Sequence, residues 1–216
     1  MTYKPEQVLD FWFPENGHWT DLEQHRQFWE HRMQGGADAD IIRDFAGLTE
    51  AAARGLLDHW AETPRDRLAL VIALDQFPRS LWRGKPAAYA QDTKATRLVL
   101  DALENGHYEA LPHVWERQFY IIALTHCEGP DHLTRMQLAL TLSQAQAEHA
   151  PPQLQPIMDL PVQQCQIVMD VIARFGRHPH RNPVYGRLSS PEEEAYIAAG
   201  DFPHERKIPD AETNDG

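Results

Sequence analysis

The chain is expected to fold as an all-α protein, and three observations carry that expectation. Helix formers (Ala, Leu, Gln, Glu, Arg) are plentiful, long β-branched runs are absent, and apolar residues recur at helical spacing between glycine and proline stops. At 216 residues, with 42% hydrophobic and 24% charged side chains, composition is that of an ordinary globular chain able to bury a substantial core.

The elements follow in order. Residues 5–13 (PEQVLDFWF) open a short helix, with Pro5 tolerated in the first turn and the aromatics facing inward. Residues 21–34 place Leu22, His25, Phe28, Trp29 and Met33 on one stripe, and Gly35-Gly36 ends that helix. Asp38 or Asp40 is positioned to cap the next one, which carries Ile41, Ile42, Phe45 and Leu48. Gly47 is expected to break it, and residues 50–60 resume with Ala52, Leu56 and Trp60 inward.

Five longer segments then alternate with short loops: residues 64–77, 90–105, 112–127, 131–148 and a last one from 155 or 160 to 175. Gly106 and Gly129-Pro130 stop two of them, while Asp92 and Asp131 are expected as caps. A last helix begins at Ser190-Pro191, with Ser190 and Glu193 spaced as a capping box, and Gly200 stops it. Antiparallel helices on short loops stack as hairpins, so the expected architecture is a compact tetratricopeptide-like array over residues 1–200, without a clean 34-residue repeat. Residues 201–216 read as a polar, disordered tail.

Composition excludes several functions. A formal net charge of -12 argues against tracking along nucleic acid. The most apolar run, residues 68–74 (LALVIAL), is too short to span a bilayer. Met1 is followed by TYKPEQ, with neither a cationic start nor an apolar signal region, which points to a cytoplasmic protein. Cys127 and Cys165 lack metal-motif spacing and are expected as reduced thiols. No cofactor is expected, since there is no P-loop, dinucleotide fingerprint or nucleophile elbow.

One stretch reverses the sign of the chain. Residues 171–191 (VIARFGRHPHRNPVYGRLSSP) hold four arginines, two histidines and no acid. If the five long helices alternate in direction, the C-terminal ends of the first, third and fifth share one edge. Those ends are DQFPR (75–79), HCE (126–128) and the basic loop. Asp75 and Glu128 lie where the helix dipole disfavours a carboxylate by about 0.3–1 kcal/mol, so each wants a cationic partner. Arginines outnumber these two carboxylates, which leaves guanidinium capacity for a phosphate or carboxylate ligand. The candidate ligand-binding residues are Arg79, Arg174, Arg177, His180, Arg181, Asn182 and Arg187, and the candidate acid/base residues are Asp75, His126 and Glu128. A metal site built from His126-x-Glu128 and His178-x-His180 is disfavoured by the surrounding arginines. Two alternatives stand beside the ligand pocket: a closed salt-bridge network, and a helical-repeat module that binds a protein or peptide. Oligomeric state is not legible.

The combination LDQFPRSLWRG (74–84), HCEGPD (126–131) and RFGRHPHRNPVYGRLSSPEEEAY (174–196), with VLDFWF (8–13), resembles a widespread bacterial family known as a domain of unknown function. The resemblance covers about residues 5 to 200 and implies a compact tetratricopeptide-like helical fold, but no reaction. Asp75, Gln76, Arg79, His126, Glu128, Arg174, Arg177, His180, Arg181, Asn182 and Arg187 match the family pattern. Ser80, Cys127 and His178 depart from it, standing where asparagine, serine and phenylalanine are usual.

Overall fold

The computed structural model describes residues 2–200 and 202, and among them every regular element is helical. The α-helices are α1 (Pro5–Trp12), α2 (Leu22–His31), α3 (Asp38–Asp40), α4 (Ala46–Ala53), α5 (Pro64–Asp75), α6 (Phe77–Leu81), α7 (Asp92–Glu104), α8 (Val114–His126), α9 (His132–His149), α10 (Asp159–Phe175), α11 (Asn182–Tyr185) and α12 (Pro191–Ala199). Short 3-10 turns and two wider turns link them. The tail expected at residues 201–216 lies outside the described residues except for Phe202.

Helix α5 is the hub. A helix apolar on every side has no solvent face and must be enclosed. Residues 68–74 are accordingly all 0% exposed, surrounded by α1, α4, α7 and α8. Burying each Leu, Val or Ile side chain there contributes about 1.5–3 kcal/mol. Thr63 accepts from the Asp66 amide to start the helix, and Pro64 occupies its first turn. Beyond the hub, α7 packs on α8, α8 on α9 and α9 on α10, and the buried apolar cluster runs continuously from Val8 to Ile172. Among the described residues no helix is long and apolar enough to cross a membrane.

Several local expectations are corrected. Gly47 lies inside α4 rather than breaking it, and a Cβ there would meet the Tyr3 hydroxyl at 2.6 Å. The break comes at Gly55, whose φ of +80° is open to glycine without strain. That turn rotates the register, so Leu56 faces solvent at 58% exposure and Leu57 is buried in its place. The segment expected to run from 64 to 77 ends at Asp75, and Pro78 sits in the first turn of a further short helix, α6. Asp38 lies within α3 and pairs with Ser80 and Arg83 instead of capping, and Asp40 pairs with Arg43. Asp131 stands at the N-cap of α9, yet its carboxylate binds Arg135 rather than a backbone N–H. The Ser190–Glu193 capping box forms as expected, and Gly200 ends α12 with a φ of +67°.

Candidate functional site

Helix alternation brings together the three expected junctions. The end of α5 meets the end of α8 where His126 Nδ1 lies 2.9 and 3.0 Å from the two Asp75 carboxylate oxygens. The segment after α8 meets the loop after α10 where Arg187 Nη1 donates to Glu128 at 2.5 Å and the His178 amide donates to the same carboxylate at 2.8 Å.

At the centre is a buried, alternating chain of charges. Asp75 is 1% exposed, Asp92 4%, Arg181 3% and His126 7%. Gln76 Nε2 donates to Asp75 Oδ2 at 2.6 Å, and Arg79 Nη1 approaches Asp75 Oδ1 at 3.4 Å while also capping the Asp75 carbonyl. Arg79 Nη2 donates to Asp92 Oδ1 at 2.9 Å, and Arg181 Nη1 donates to Asp92 Oδ2 at 3.1 Å. Asp92 therefore bridges two guanidinium groups. The Tyr89 ring faces both, 4.3 Å from Arg181 and 5.6 Å from Arg79. Arg187 lies 5.0 Å from the centre of the Tyr185 ring, and Tyr185 stands 5.9 Å from Tyr89.

These neighbours set the protonation states. Burial pushes the Asp75 carboxyl up, but Arg79, His126 and Gln76 outweigh it and hold the group well below the usual carboxylate range. Burial, reinforced by Arg79, lowers His126 despite the opposing pull of Asp75. The pair is thus a carboxylate facing a neutral imidazole, with the proton on Nδ1 and the basic lone pair on Nε2. Burial opposes ionisation of Glu128 as well, yet Arg187, the His178 amide and Arg181 keep it ionised. His132 and His178 both direct Nε2 at the Thr125 carbonyl, 3.0 and 3.1 Å away, so each carries its proton on Nε2. Burial brings His132 down to about 4 and, with Arg181, brings His180 down to about 3. It also holds His178 well below its ordinary value.

The expected site residues divide into two groups. Asp75, Arg79, His126, Glu128, Arg181 and Arg187 belong to one connected cluster, with His180 against its inner side through the His178 ring. Asn182 is fully buried and donates to Ser189 Oγ, holding the loop closed on itself. Arg177 binds Glu193 at 2.7 and 2.9 Å and bolts the loop to α12. Arg174 stands apart: it is exposed, 3.9 Å from Glu192, and lies over Phe175.

The excess of arginine expected from the sequence is corrected. Asp92, expected only as a cap, lies in the first turn of α7 and spends its carboxylate on Arg79 and Arg181. Glu193 serves Arg177 as well as the capping box. A legible signal for Asp92 existed: the same alternation that gathers the C-termini of α5 and α8 places the N-terminus of α7 on that edge. Tyr89 and Tyr185 carried no such signal. Among the described residues no group of three His, Cys, Asp or Glu side chains is placed to hold a metal ion.

The chain belongs to the DUF924 family of bacterial proteins of unknown function, whose model matches residues 8–201. Its structure is similar to that of a protein of unknown function from Agrobacterium tumefaciens, with a TM-score of 0.69 and 30% sequence identity over 91% of this chain and 97% of that one. No curated protein matches the chain.

Proposed function

We propose, for a member of a family without an assigned reaction, that the shared helix edge is a binding site for a small oxyanion-bearing molecule, phosphate or carboxylate. In this reading the Asp75–His126 pair moves a proton within the site, in a cytoplasmic protein. The single observation that carries the proposal is a pair of unmet N–H donors within a charge-balanced cluster. Arg181 Nε and Arg187 Nε are both buried, and neither has an acceptor among the described residues. A buried guanidinium N–H without an acceptor costs about 1–3 kcal/mol, which an oxyanion between the two arginines would recover. His126 supplies the chemistry: a neutral imidazole oriented by a carboxylate is the arrangement of a general base. Apart from Arg174, which stands away from the cluster, Arg187 and Arg177 are the cations of this edge that solvent reaches most easily, with side chains 25% and 32% exposed.

A thermal-shift titration with inorganic phosphate and small carboxylates tests the proposal. A ligand at a hundredfold excess over its dissociation constant adds about 2.7 kcal/mol of stability. The expected result is a rise in melting temperature that Arg181→Ala abolishes. Absence of a rise with every anion contradicts the proposal.

A second reading is favoured by a different observation: Arg79, Arg177, Arg181 and Arg187 each already hold a protein carboxylate. On that reading the cluster is a closed structural network within a tetratricopeptide-like array. Leu133, Leu160 and Ile167, exposed on α9 and α10, would then offer a face for a peptide. Asp75→Asn separates the two readings. A structural network loses melting temperature with no ligand response to lose, whereas a binding site loses its anion-induced shift.

A further inference from the structure

A cavity of about 380 Å³ opens at the N-terminal end of α8, between that helix and the last turns of α9. Val114 and His126 mark the two ends of α8, so about 18 Å of helix separates the cavity from the charged cluster. Its volume is within the range of small-molecule sites.

Arg117 lines the cavity and is half-buried. Its Nε donates to the Leu111 carbonyl at 2.9 Å, and its Nη2 to the Leu111 and Glu109 carbonyls at 2.7 and 3.0 Å. The guanidinium also lies 5.8 Å from the centre of the Tyr108 ring. These partners fix the plane of the group but leave its charge unbalanced. No carboxylate lines the cavity, and the neighbouring Glu116 carboxylate meets Arg65 at 3.4 Å. Among the described residues Arg117 forms no ion pair, and its Nη1 donates to no acceptor yet is not sealed from solvent. Arg67 shows what a purely structural version looks like. The Ala61 carbonyl holds it in the same way, but its Nη1 is used on the Leu98 carbonyl at 3.0 Å and the residue is buried.

The other walls set the rest of the ligand. His113 is exposed, with its ring flat on Trp115 at 4.3 Å and 7°, and neither ring nitrogen has a hydrogen-bond partner among the described residues. Its N–H is therefore a second open donor. His149 adds none while neutral, because its Nδ1–H goes to the Ala145 carbonyl at 2.8 Å. Pro112, Val114, Leu142 and Pro151 make the remaining lining apolar. One fixed positive charge with two open donors matches a single carboxylate, and a doubly charged phosphate would stay half-neutralised. The apolar walls then accept the body that carries the carboxylate.

We propose that this cavity binds a monoanionic carboxylate on a small apolar body, the carboxylate meeting Arg117 Nη1 and the His113 ring. The proposal is independent of the anion site at the other end of α8.

Ligand-observed saturation-transfer NMR titrations on the full chain test it with phenylacetate, phenylacetamide and acetate. The amide keeps the shape without the charge, and acetate keeps the charge without the body. The expected result is that wild type binds phenylacetate at least about tenfold more tightly than either of the others. Arg117→Gln removes the preference over the amide. Ala145→Phe fills the cavity from an exposed position on α9, leaves Arg117 in place and abolishes binding. Cooperative melting confirms that each variant is folded. Failure of wild type to bind phenylacetate at millimolar concentration overturns the proposal, as does a preference over the amide that survives in folded Arg117→Gln. Binding that survives Ala145→Phe places the ligand elsewhere on the protein and overturns it too.

Discussion

The two ends of α8 solve opposite problems. At the C-terminal end, His126 enters a cluster in which carboxylates and guanidinium groups alternate and balance. At the N-terminal end, Trp115 stands among aromatic rings beside a cavity of about 380 Å³, and the buried Glu116 carboxylate meets Arg65 at 3.4 Å. Buried charge is rarely the cheapest way to hold helices together, because well-packed apolar residues often do as well or better. One end concentrates a charge-balanced network, and the other keeps space among packed rings beside the buried carboxylate of Glu116.

The largest expected effect tests both ends together. The N-terminal end holds two neutral histidines and the charged end four, His126, His132, His178 and His180. His18 and His25 lie beside Trp115 and are brought down to about 4 mainly by burial, while His132 and His180 lie beside the charged cluster at about 4 and about 3. Their folded values lie below the ordinary histidine value of about 6.5, so below that pH the unfolded chain binds more protons. Stability is full above pH 6.5 and falls as pH drops toward 4, by up to about 1.4 kcal/mol per pH unit for each histidine. Urea midpoints at pH 7.5, 6 and 5 measure the slope. Replacing His18 and His25 together by phenylalanine should remove about a third of it, and an unchanged slope would place the titration elsewhere.

Next in size, Asp92→Ala strips two buried arginines of their shared carboxylate and should destabilise by about 3–5 kcal/mol. Trp115→Ala should cost a similar amount, about 3–5 kcal/mol, through lost packing instead. Asp92→Asn separates the mechanisms, since it keeps the shape of the side chain but not its charge and should still lose most of the stability that Asp92→Ala loses. Chemical denaturation of the three variants at pH 7.5 reads the difference. The smallest effect belongs to the loop anchor: Ser190→Ala removes the cap of α12 and should cost about 1 kcal/mol in the same assay.

Much of this arrangement was legible in the sequence, and the reason is periodicity. The run LALVIAL announces a helix enclosed on all sides, and α5 is that helix. Alternation of five long helices was enough to place Asp75, His126 and Glu128 on the same edge as the basic loop. What was not legible depends on register and pairing. Gly55 moved burial from Leu56 to Leu57 through a single left-handed turn. Asp92 looked complete as an acid at a helix start, because the dipole explains such a residue without a partner.

The most direct measurement is calorimetric titration of wild type and Arg181→Lys with inorganic phosphate and small carboxylates at pH 7.5. Lysine keeps the charge beside Asp92 but removes the guanidinium fork and its Nε–H. We expect at least one of these anions to bind wild type and to lose about tenfold or more in affinity to Arg181→Lys. No heat of binding in wild type, or equal affinities in the two proteins, would contradict an anion site at this edge.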